Sequence, residues 1–241
     1  MHLSEKAYDK LKRMILSGRF KGDGALSERS LAALLSVSRV PVREAIKELE
    51  REGLLIIVPR SGILIRRLSL DEVRELYEVR QAVEGMAAYL CATRKQGGAV
   101  KAMRERLEAL AAKGDDINHA AIQRASAAFH RMLFDVGGNS QLRAVYETLE
   151  PRIDLNLRIT AVHDTSRIEQ ALDEHIKIAR AIERRDGDKA ERLTRLHLEN
   201  GKTARLKILA GLEQEGEQGK PPRSSMEAPR SHTTVAKTKV A

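Results

Sequence analysis

The chain has 241 residues, enough for two modest domains that each bury a core. Its formal net charge is +9, and residues 1–67 carry 14 basic against 8 acidic side chains, a net +6. This N-terminal excess favours a phosphate-bearing partner. Aromatic residues make up 3% of the chain and Trp is absent. That composition disfavours single-stranded nucleic acids, whose binding proteins stack bases on aromatic side chains.

The cysteine content and hydropathy indicate where the protein resides. The single cysteine, Cys91, cannot form an internal disulfide and suits a reducing compartment. No apolar run reaches membrane-spanning length, and no signal peptide is predicted before the first helix. We therefore expect a cytoplasmic protein with no membrane partner.

The N-terminal residues predict an amphipathic helix over 5–17 and then a pair of short helices. Ser27 is a good N-cap for the first of the pair, whose leucines share one face. Ser36 interrupts this pattern, and Ser38 caps a second helix that has Pro41 in its first turn. The spacing is typical of a helix-turn-helix.

The second helix of that pair buries an apolar stripe and points Arg39 and Arg43 outward. A helix in the major groove offers bases mainly its N-terminal residues, which here include these two arginines. Gly53 ends the helix, and two apolar strands, 54–58 and 63–65, then flank a basic turn. We interpret the segment as a winged helix-turn-helix that binds duplex DNA. The alternative is an ordinary helical subdomain with solvated arginines.

The remaining periodicity is helical and predicts an antiparallel bundle of six helices. Pro151 should kink or split the fourth of them. The fold class is therefore mostly α, with a winged helix-turn-helix domain over 1–67, a helical domain over 68–210 and a disordered tail over 211–241. The predicted helices span 69–94, 98–113, 116–137, 139–162, 166–185 and 187–210.

Three histidines of the helical domain, His130, His175 and His197, lie on different predicted helices among apolar residues. Imidazoles that converge from facing helices can form a divalent metal site. Taken singly, each position is more typical of a hydrogen-bonded core histidine, so both interpretations stay open.

Two arginines of the same domain lie beside apolar stripes. At a pocket edge, Arg80 or Arg158 would suit a carboxylate ligand through bidentate hydrogen bonds. The alternative is an ion pair, which Arg80 can form with Glu84 four residues further on.

Two stretches of the chain resemble a known family. The run SERSLAALLSVSRVPVREAIKELEREGLL resembles the N-terminal signature of GntR-family bacterial transcription regulators. The segments LYEVRQAVEGMAA and SAAFHRMLFDVGGN resemble the ligand-binding (FCD) domain of the FadR branch, and six helices suit its VanR-like subset. The resemblance covers residues 4–210. It implies a ligand-responsive regulator, with repression as the expected polarity, that binds a near-palindromic operator as a homodimer.

The resemblance also implies a set of DNA contacts. Arg39 and Arg43 would read guanines, while Arg29 and the wing touch phosphate or the minor groove. Val40 stands where relatives often have Thr, which puts a polar contact there in doubt. Ser36 replaces the usual glycine of the turn, which calls for a slightly different backbone. The full set is Arg29, Ser38, Arg39, Val40, Pro41 and Arg43, with Arg60 and Gly62 in the wing.

For the helical domain the resemblance implies a metal site of one Asp and three His. The histidines correspond to His130, His175 and His197, but Ser126 stands where the Asp is expected. Three imidazoles can still hold zinc or a nickel-like ion with water completing the shell, at lower affinity, and a metal-free pocket is the alternative. The candidate residues for binding a small carboxylate effector are Arg80, Ser126, Asn139 and Arg158.

Two rival functions stay open at this point. A metal-dependent enzyme built on the three histidines lacks an obvious general base, because neither Asp135 nor Glu174 lies in a motif that places it at a bound water. An architectural or effector-insensitive DNA-binding protein would use the helical domain only to dimerise. We expect a regulator with no catalytic residues.

Overall fold

The computed structural model describes residues 3–20, 24–94, 98–113, 118–161 and 165–218, with the side chains of 158–161, 165 and 213–218 excepted. These residues form nine helices and one two-stranded sheet. No helix among them is long and apolar enough to cross a membrane. The elements are α1 (Leu3–Leu16), α2 (Glu28–Leu35), α3 (Arg39–Arg51), β1 (Leu55–Val58), β2 (Gly62–Ile65), α4 (Leu70–Thr93), α5 (Ala99–Ala111), α6 (His119–Gly137), α7 (Ser140–Ala161), α8 (Thr165–Glu183) and α9 (Gly187–Gln218).

The first five elements form a winged helix, as predicted. Helices α1 to α3 and the hairpin surround an apolar core that is almost free of solvent. Burial of these side chains is the main force that holds the short helices together, because helices of this length are marginal on their own. The central residues of this core are Leu11, Ile15, Leu31, Ile46, Leu49 and Leu54.

The turn between α2 and α3 keeps the backbone that glycine favours. At the start of α2, Ser27 and Ser30 form a capping box, each side chain accepting a hydrogen bond from the other residue's amide. At its end, Ser36 adopts the left-handed conformation, with φ 57° and ψ 43°. The expected change of backbone is therefore wrong. Ser36 instead takes a conformation that costs a non-glycine residue about 1–2 kcal/mol.

Helix α3 is capped at its two ends in different ways. Ser38 occupies the N-cap, but its side chain makes no capping hydrogen bond with a described residue, and it lies exposed. At the other end Gly53 has φ +74°, and the Leu54 amide donates to the Leu49 carbonyl at 2.9 Å. This pattern of a left-handed glycine and a returning amide ends the helix where the sequence predicts.

The hairpin is tied to the helix-turn-helix by a third short segment. Strands β1 and β2 pair antiparallel, with Leu55 opposite Ile65. The backbone of Leu26 exchanges both of its hydrogen bonds with Ile63 of β2. The wing is therefore fixed to the residues that lead into α2.

Helices α4 to α9 form the predicted helical unit. Helix α4 packs against α6 and α9, and α8 packs against α5, α6 and α9. The core of the helical unit is apolar and solvent-free at Leu107, Ile122, Phe129, Leu133, Leu172 and Ile182. The bundle thus brings α4, α6, α8 and α9 together around its centre.

One predicted boundary is wrong, and one of two alternatives at Pro151 is excluded. Helix α7 runs as one element from Ser140 to Ala161 through Pro151, so the proline does not split it. Helix α9 continues through Gly211 to Gln218, past its predicted end at residue 210. A single glycine costs a helix only about 1 kcal/mol, which the rest of a long helix can offset. Residues 219–241 of the predicted tail lie outside the described residues.

Helix α7 contributes to both cores. Leu155 is 1% exposed and belongs to the apolar cluster of the winged helix. Tyr146 and Ile153 of the same helix belong to the cluster of the helical unit. A Cβ placed on Gly53 would stand 3.1 Å from Cδ of Arg152, so this α7 side chain lies directly over the end of α3.

The wing should be sensitive to a methyl group at Gly62. This glycine has φ +103°, and an added Cβ would lie 2.8 Å from the Leu26 carbonyl oxygen. We expect Gly62→Ala to lower the free energy of unfolding by about 1–3 kcal/mol, measured by chemical denaturation.

The matched control is Gly24→Ala, because a methyl group there would meet none of the described residues within 4 Å. Equal stability of the two variants would contradict the predicted strain at Gly62.

Candidate functional site

Three buried histidines meet at the centre of the helical unit. His130 comes from α6, His175 from α8 and His197 from α9, and each is at most 7% exposed. The Nε2 atom of His175 lies 3.2 Å from Nε2 of His130 and 3.2 Å from Nε2 of His197. Phe129 packs on the His175 ring with a centroid distance of 4.6 Å. The three rings thus point the same nitrogen toward a common point.

The spacing of these nitrogens suits a metal ion. Two nitrogens bound to one zinc ion at about 2.0–2.1 Å in a tetrahedral arrangement stand about 3.3 Å apart. One ligand atom from each ring lies within 4.8 Å of the other two. Burial, with further effects from neighbouring positive groups, keeps the pKa of His175 and of His197 well below the usual value. Both rings are therefore neutral at physiological pH, as metal ligation requires.

Two of the three rings contact a carboxylate through Nδ1. Nδ1 of His130 lies 2.6 Å from Oε2 of Glu84, which is fully buried. Nδ1 of His197 lies 2.6 Å from Oε2 of Glu174. The sequence analysis paired Glu84 only with Arg80 and considered Glu174 only as a general base. No local spacing signals these contacts, because each joins helices far apart in the chain.

Each of these carboxylates is paired with an arginine. The Arg80 guanidinium donates from Nε to Oε1 of Glu84 at 2.6 Å, which is the predicted contact four residues along α4. Burial alone raises the pKa of Glu84, but Arg80 and His130 outweigh it and bring that pKa to about 2. Arg167 donates to Glu174 at 2.6 Å. Glu84 is thus charged, and each of the two carboxylates has a guanidinium partner.

A cavity of about 520 Å³ adjoins the histidines. The three histidine side chains and Ser126 line it, so the residue at the expected Asp position does face this space. Its other polar lining includes Arg80, Arg124, Arg167, Asp154 and Arg205, and Leu16 of α1 closes part of the wall. The volume suits a small organic molecule.

Two predicted effector residues are not brought to the cavity in the described part of the structure. Asn139 precedes α7, and its side chain accepts hydrogen bonds from the amides of Gln141 and Leu142 at 3.0 and 3.2 Å. It acts there as a helix cap and is absent from the described cavity lining, so its prediction as an effector residue lacks support. The side chain of Arg158 lies outside the described residues.

The predicted DNA-facing surface is exposed at most of its positions. Arg29, Ser38, Arg39, Val40, Arg43 and Arg60 are exposed, and Gly62 is partly so. Pro41 is buried, so its predicted contact with DNA has no exposed side chain to support it. The proline sits in the first turn of α3 and packs inward, where its fixed φ favours the helix.

Arg43 is held by an acidic residue of the neighbouring helix. It donates two hydrogen bonds to Glu28 of α2, from Nε at 2.9 Å and from Nη2 at 2.8 Å. The hydrogen bond from Arg43 is the main cause that lowers the pKa of Glu28. Glu28 also lies in the first turn of α2, where a negative charge suits the helix dipole. The pairing orients the guanidinium before any base is present.

The fold and the site define a DNA-binding transcriptional regulator with an added helical domain. Comparison with protein-family models agrees: bacterial regulatory proteins of the gntR family match residues 3–65, and the FCD domain matches residues 75–200. The chain belongs to the GntR family of transcriptional regulators, with an FCD domain of the FadR type, and it is not an enzyme.

Curated relatives agree with this assignment. The chain is 32% identical to the transcriptional repressor NanR of Cronobacter sakazakii, over 81% of this chain and 82% of the relative. It is 30% identical to the regulator YdhC of Bacillus subtilis, over 79% and 85%. It is 27% identical to the repressor RspR of Escherichia coli, over 82% and 86%.

Two solved structures share the fold. A GntR transcriptional regulator from Rhodococcus sp. RHA1 superposes with a TM-score of 0.70 at 22% identity, covering 85% of this chain and 97% of that one. The E. coli protein McbR/YncC superposes with a TM-score of 0.66 at 20% identity, covering 90% and 99%. The winged helix and the helical bundle therefore occur together in solved structures.

The pair Arg80–Glu84 should be essential for stability. We expect Arg80→Met to lower the free energy of unfolding by about 3–5 kcal/mol, because it leaves the buried Glu84 carboxylate without its guanidinium. Chemical denaturation followed by circular dichroism measures this.

The double variant Arg80→Met/Glu84→Met removes both charges and should be more stable than Arg80→Met alone. Arg74→Met, which breaks an exposed pair with Asp71 on the same helix, is the control and should change little. A double variant less stable than Arg80→Met would contradict the pairing argument.

Proposed function

We propose that this regulator binds a small organic acid in its helical domain and that the bound acid changes its affinity for operator DNA. The observation that carries the proposal is the cavity of about 520 Å³ with the three-histidine cluster in its wall. A buried, preformed space with convergent polar groups is the usual form of a small-molecule site. Three relatives bear the name of repressor, which supports repression as the output.

A divalent metal ion is part of this proposal. His130, His175 and His197 would hold zinc or a nickel-like ion through Nε2, and Ser126 offers no carboxylate. When bound, the ion would supply a Lewis-acidic centre for a carboxylate oxygen. Ser126 would face the open side toward the cavity.

The charge balance of the site favours an anionic ligand. Glu84 is already neutralised by Arg80, and Glu174 by Arg167. The histidine cluster itself contains no carboxylate. A divalent ion would therefore bring positive charge that no nearby group of the cluster offsets, and an organic acid would offset it. Arg80 would act mainly by holding Glu84, and Arg158 stays a candidate contact.

Helix α7 offers a route from the cavity to the DNA-binding unit. Ile153, Asp154 and Leu157 line the cavity, while Leu155 packs in the core of the winged helix. A ligand that shifts α7 would therefore shift Leu155 and with it the apolar core against which α3 packs. Allosteric coupling of this kind is typically worth about 1–3 kcal/mol.

We further propose that two copies bind a near-palindromic operator. A two-fold protein matches a two-fold site, and each α3 would enter a major groove. Arg39 and Arg43 would read bases, Ser38 and Val40 would contact the same groove, and Arg29 with the wing residues Arg60 and Gly62 would contact the backbone or minor groove. Exposed Val79 and Met86, seven residues apart on α4, offer an apolar strip for the second copy.

The direct experiment is a fluorescence-anisotropy titration against the region upstream of the protein's own gene and against sites from random selection. The proposal expects a salt-sensitive, sequence-specific complex whose affinity shifts when zinc and organic acids are added. A specific complex with no response to any metal or acid would favour the effector-insensitive alternative. No specific complex in either experiment would overturn the proposal.

The two arginines at the start of α3 should carry sequence discrimination. We expect Arg39→Ala and Arg43→Ala each to weaken specific binding by about 1–3 kcal/mol and to relax base preference, because a bidentate contact to guanine is lost. Arg51→Ala is the matched control, since Arg51 is exposed at the other end of the same helix. Equal losses for all three variants would indicate general charge attraction instead.

Loss of one histidine should uncouple zinc from DNA. We expect His175→Gln to remove tight zinc binding, measured by calorimetry, and to abolish the effect of zinc on operator affinity. His119→Gln is the control, because His119 lies outside the cluster and contacts Glu169 at 3.4 Å. Zinc binding by His175→Gln equal to that of the control would contradict the three-histidine site.

A further inference from the structure

We propose that Glu174 and Glu84 are positioning residues for the three-histidine site, a role that rests on the metal binding proposed above. Each carboxylate lies 2.6 Å from Nδ1 of one histidine and thereby presents Nε2 of that ring to the ion. The contact of Glu174 with His197 is a hydrogen bond, whereas that of Glu84 with His130 is a close charge contact without hydrogen-bond geometry. Neither carboxylate reaches the common point of the three Nε2 atoms as a member of the ligand cluster.

Glu174 is itself held from several directions. Its Oε2 lies 2.6 Å from Nδ1 of His197 and accepts a hydrogen bond from Arg167 at 2.6 Å. Its Oε1 accepts from the side-chain amide of Asn200 at 2.8 Å. Donors from α8 and α9 thus immobilise the carboxylate, and the carboxylate in turn immobilises the ring.

Glu84 has the same arrangement on the other side of the cluster. Its Oε2 lies 2.6 Å from Nδ1 of His130, and its Oε1 accepts from Nε of Arg80 at 2.6 Å. The side chain of Glu84 is fully buried, so this carboxylate has no water to exchange for the ring. Two arginine–carboxylate–imidazole chains therefore converge on one centre.

The hydrogen bond to Glu174 determines the tautomer of the His197 ring. A neutral imidazole carries one N–H, and an ionised carboxylate can only accept hydrogen bonds. The proton of His197 must therefore lie on Nδ1, which leaves its Nε2 lone pair for a metal ion. The 3.2 Å distances between the Nε2 atoms are consistent with this orientation.

The His175 ring is held in place without a carboxylate. Its Nδ1 is buried, and no described residue forms a hydrogen bond with it. The ring is instead packed against Phe129. One ring is therefore oriented by a hydrogen bond to a carboxylate, one by a close charge contact and the third by packing, so the carboxylate contacts should decide how tightly the set binds an ion.

The test uses the full chain and cobalt(II), whose visible absorption reports coordination geometry. We expect Glu174→Gln to bind cobalt about 10- to 100-fold more weakly than the unmodified protein and to change the absorption spectrum. Asp173→Asn is the matched control, because it removes the same charge from an exposed neighbour on the same helix. It should bind as the unmodified protein does.

Nitrogen-15 NMR of the metal-free protein supplies a second readout. The His197 ring should carry its proton on Nδ1 in the unmodified chain and in Asp173→Asn, and should show a mixture of tautomers in Glu174→Gln. Glu84→Gln is the corresponding variant for His130, and its unfolding curve shows whether the chain still folds.

The outcomes separate the two proposals. Cobalt affinity and spectrum of Glu174→Gln equal to those of Asp173→Asn would overturn the positioning role and leave the metal site intact. No cobalt binding by the unmodified protein would overturn the metal site and the positioning role with it. Weaker binding accompanied by the tautomer change supports both.

Discussion

Charged groups inside a helical bundle cost free energy unless each is paired with a partner of opposite charge, and this constraint governs the helical half of the molecule. Arg80 pairs with Glu84 and Arg167 with Glu174, and each of these carboxylates also lies next to an imidazole. The contacts join α4, α6, α8 and α9. The charge pairing and the cavity wall are therefore built from the same side chains, so the wall cannot be rearranged without separating buried charges.

The sequence predicted the parts of the fold that depend on local spacing. Caps at Ser27 and Gly53 and the apolar stripes determine the winged helix, and all of these act within a few residues. The inward direction of the three histidines followed from the same periodicity. The carboxylate behind His197 could not be predicted, because it depends on how α8 and α9 pack. The capping role of Asn139 was not predicted either, since an asparagine has the same position in the sequence whether it caps a helix or binds a ligand.

On the predicted DNA-facing surface, one basic side chain is paired with an acidic side chain of the neighbouring helix. Arg43 and Glu28 form a doubly hydrogen-bonded pair between α2 and α3, so this guanidinium must change partner to contact a base. An exposed pair of this type is weak and readily exchanged in water. The proposed bidentate contact with guanine would replace both hydrogen bonds to Glu28, whereas a single hydrogen bond to phosphate would not.

The shared helix α7 bears on how such regulators can be recombined. Leu155 completes the apolar core of the winged helix although it lies about ninety residues beyond the wing, inside the sensor. A winged-helix domain that ends after the hairpin would lack Leu155 and expose the apolar surface that this side chain covers. An exchange of winged-helix domains between paralogues therefore requires a helical unit whose α7 carries a residue of matching shape at the position of Leu155. The two halves must change together during evolution, as two subunits with a common interface do.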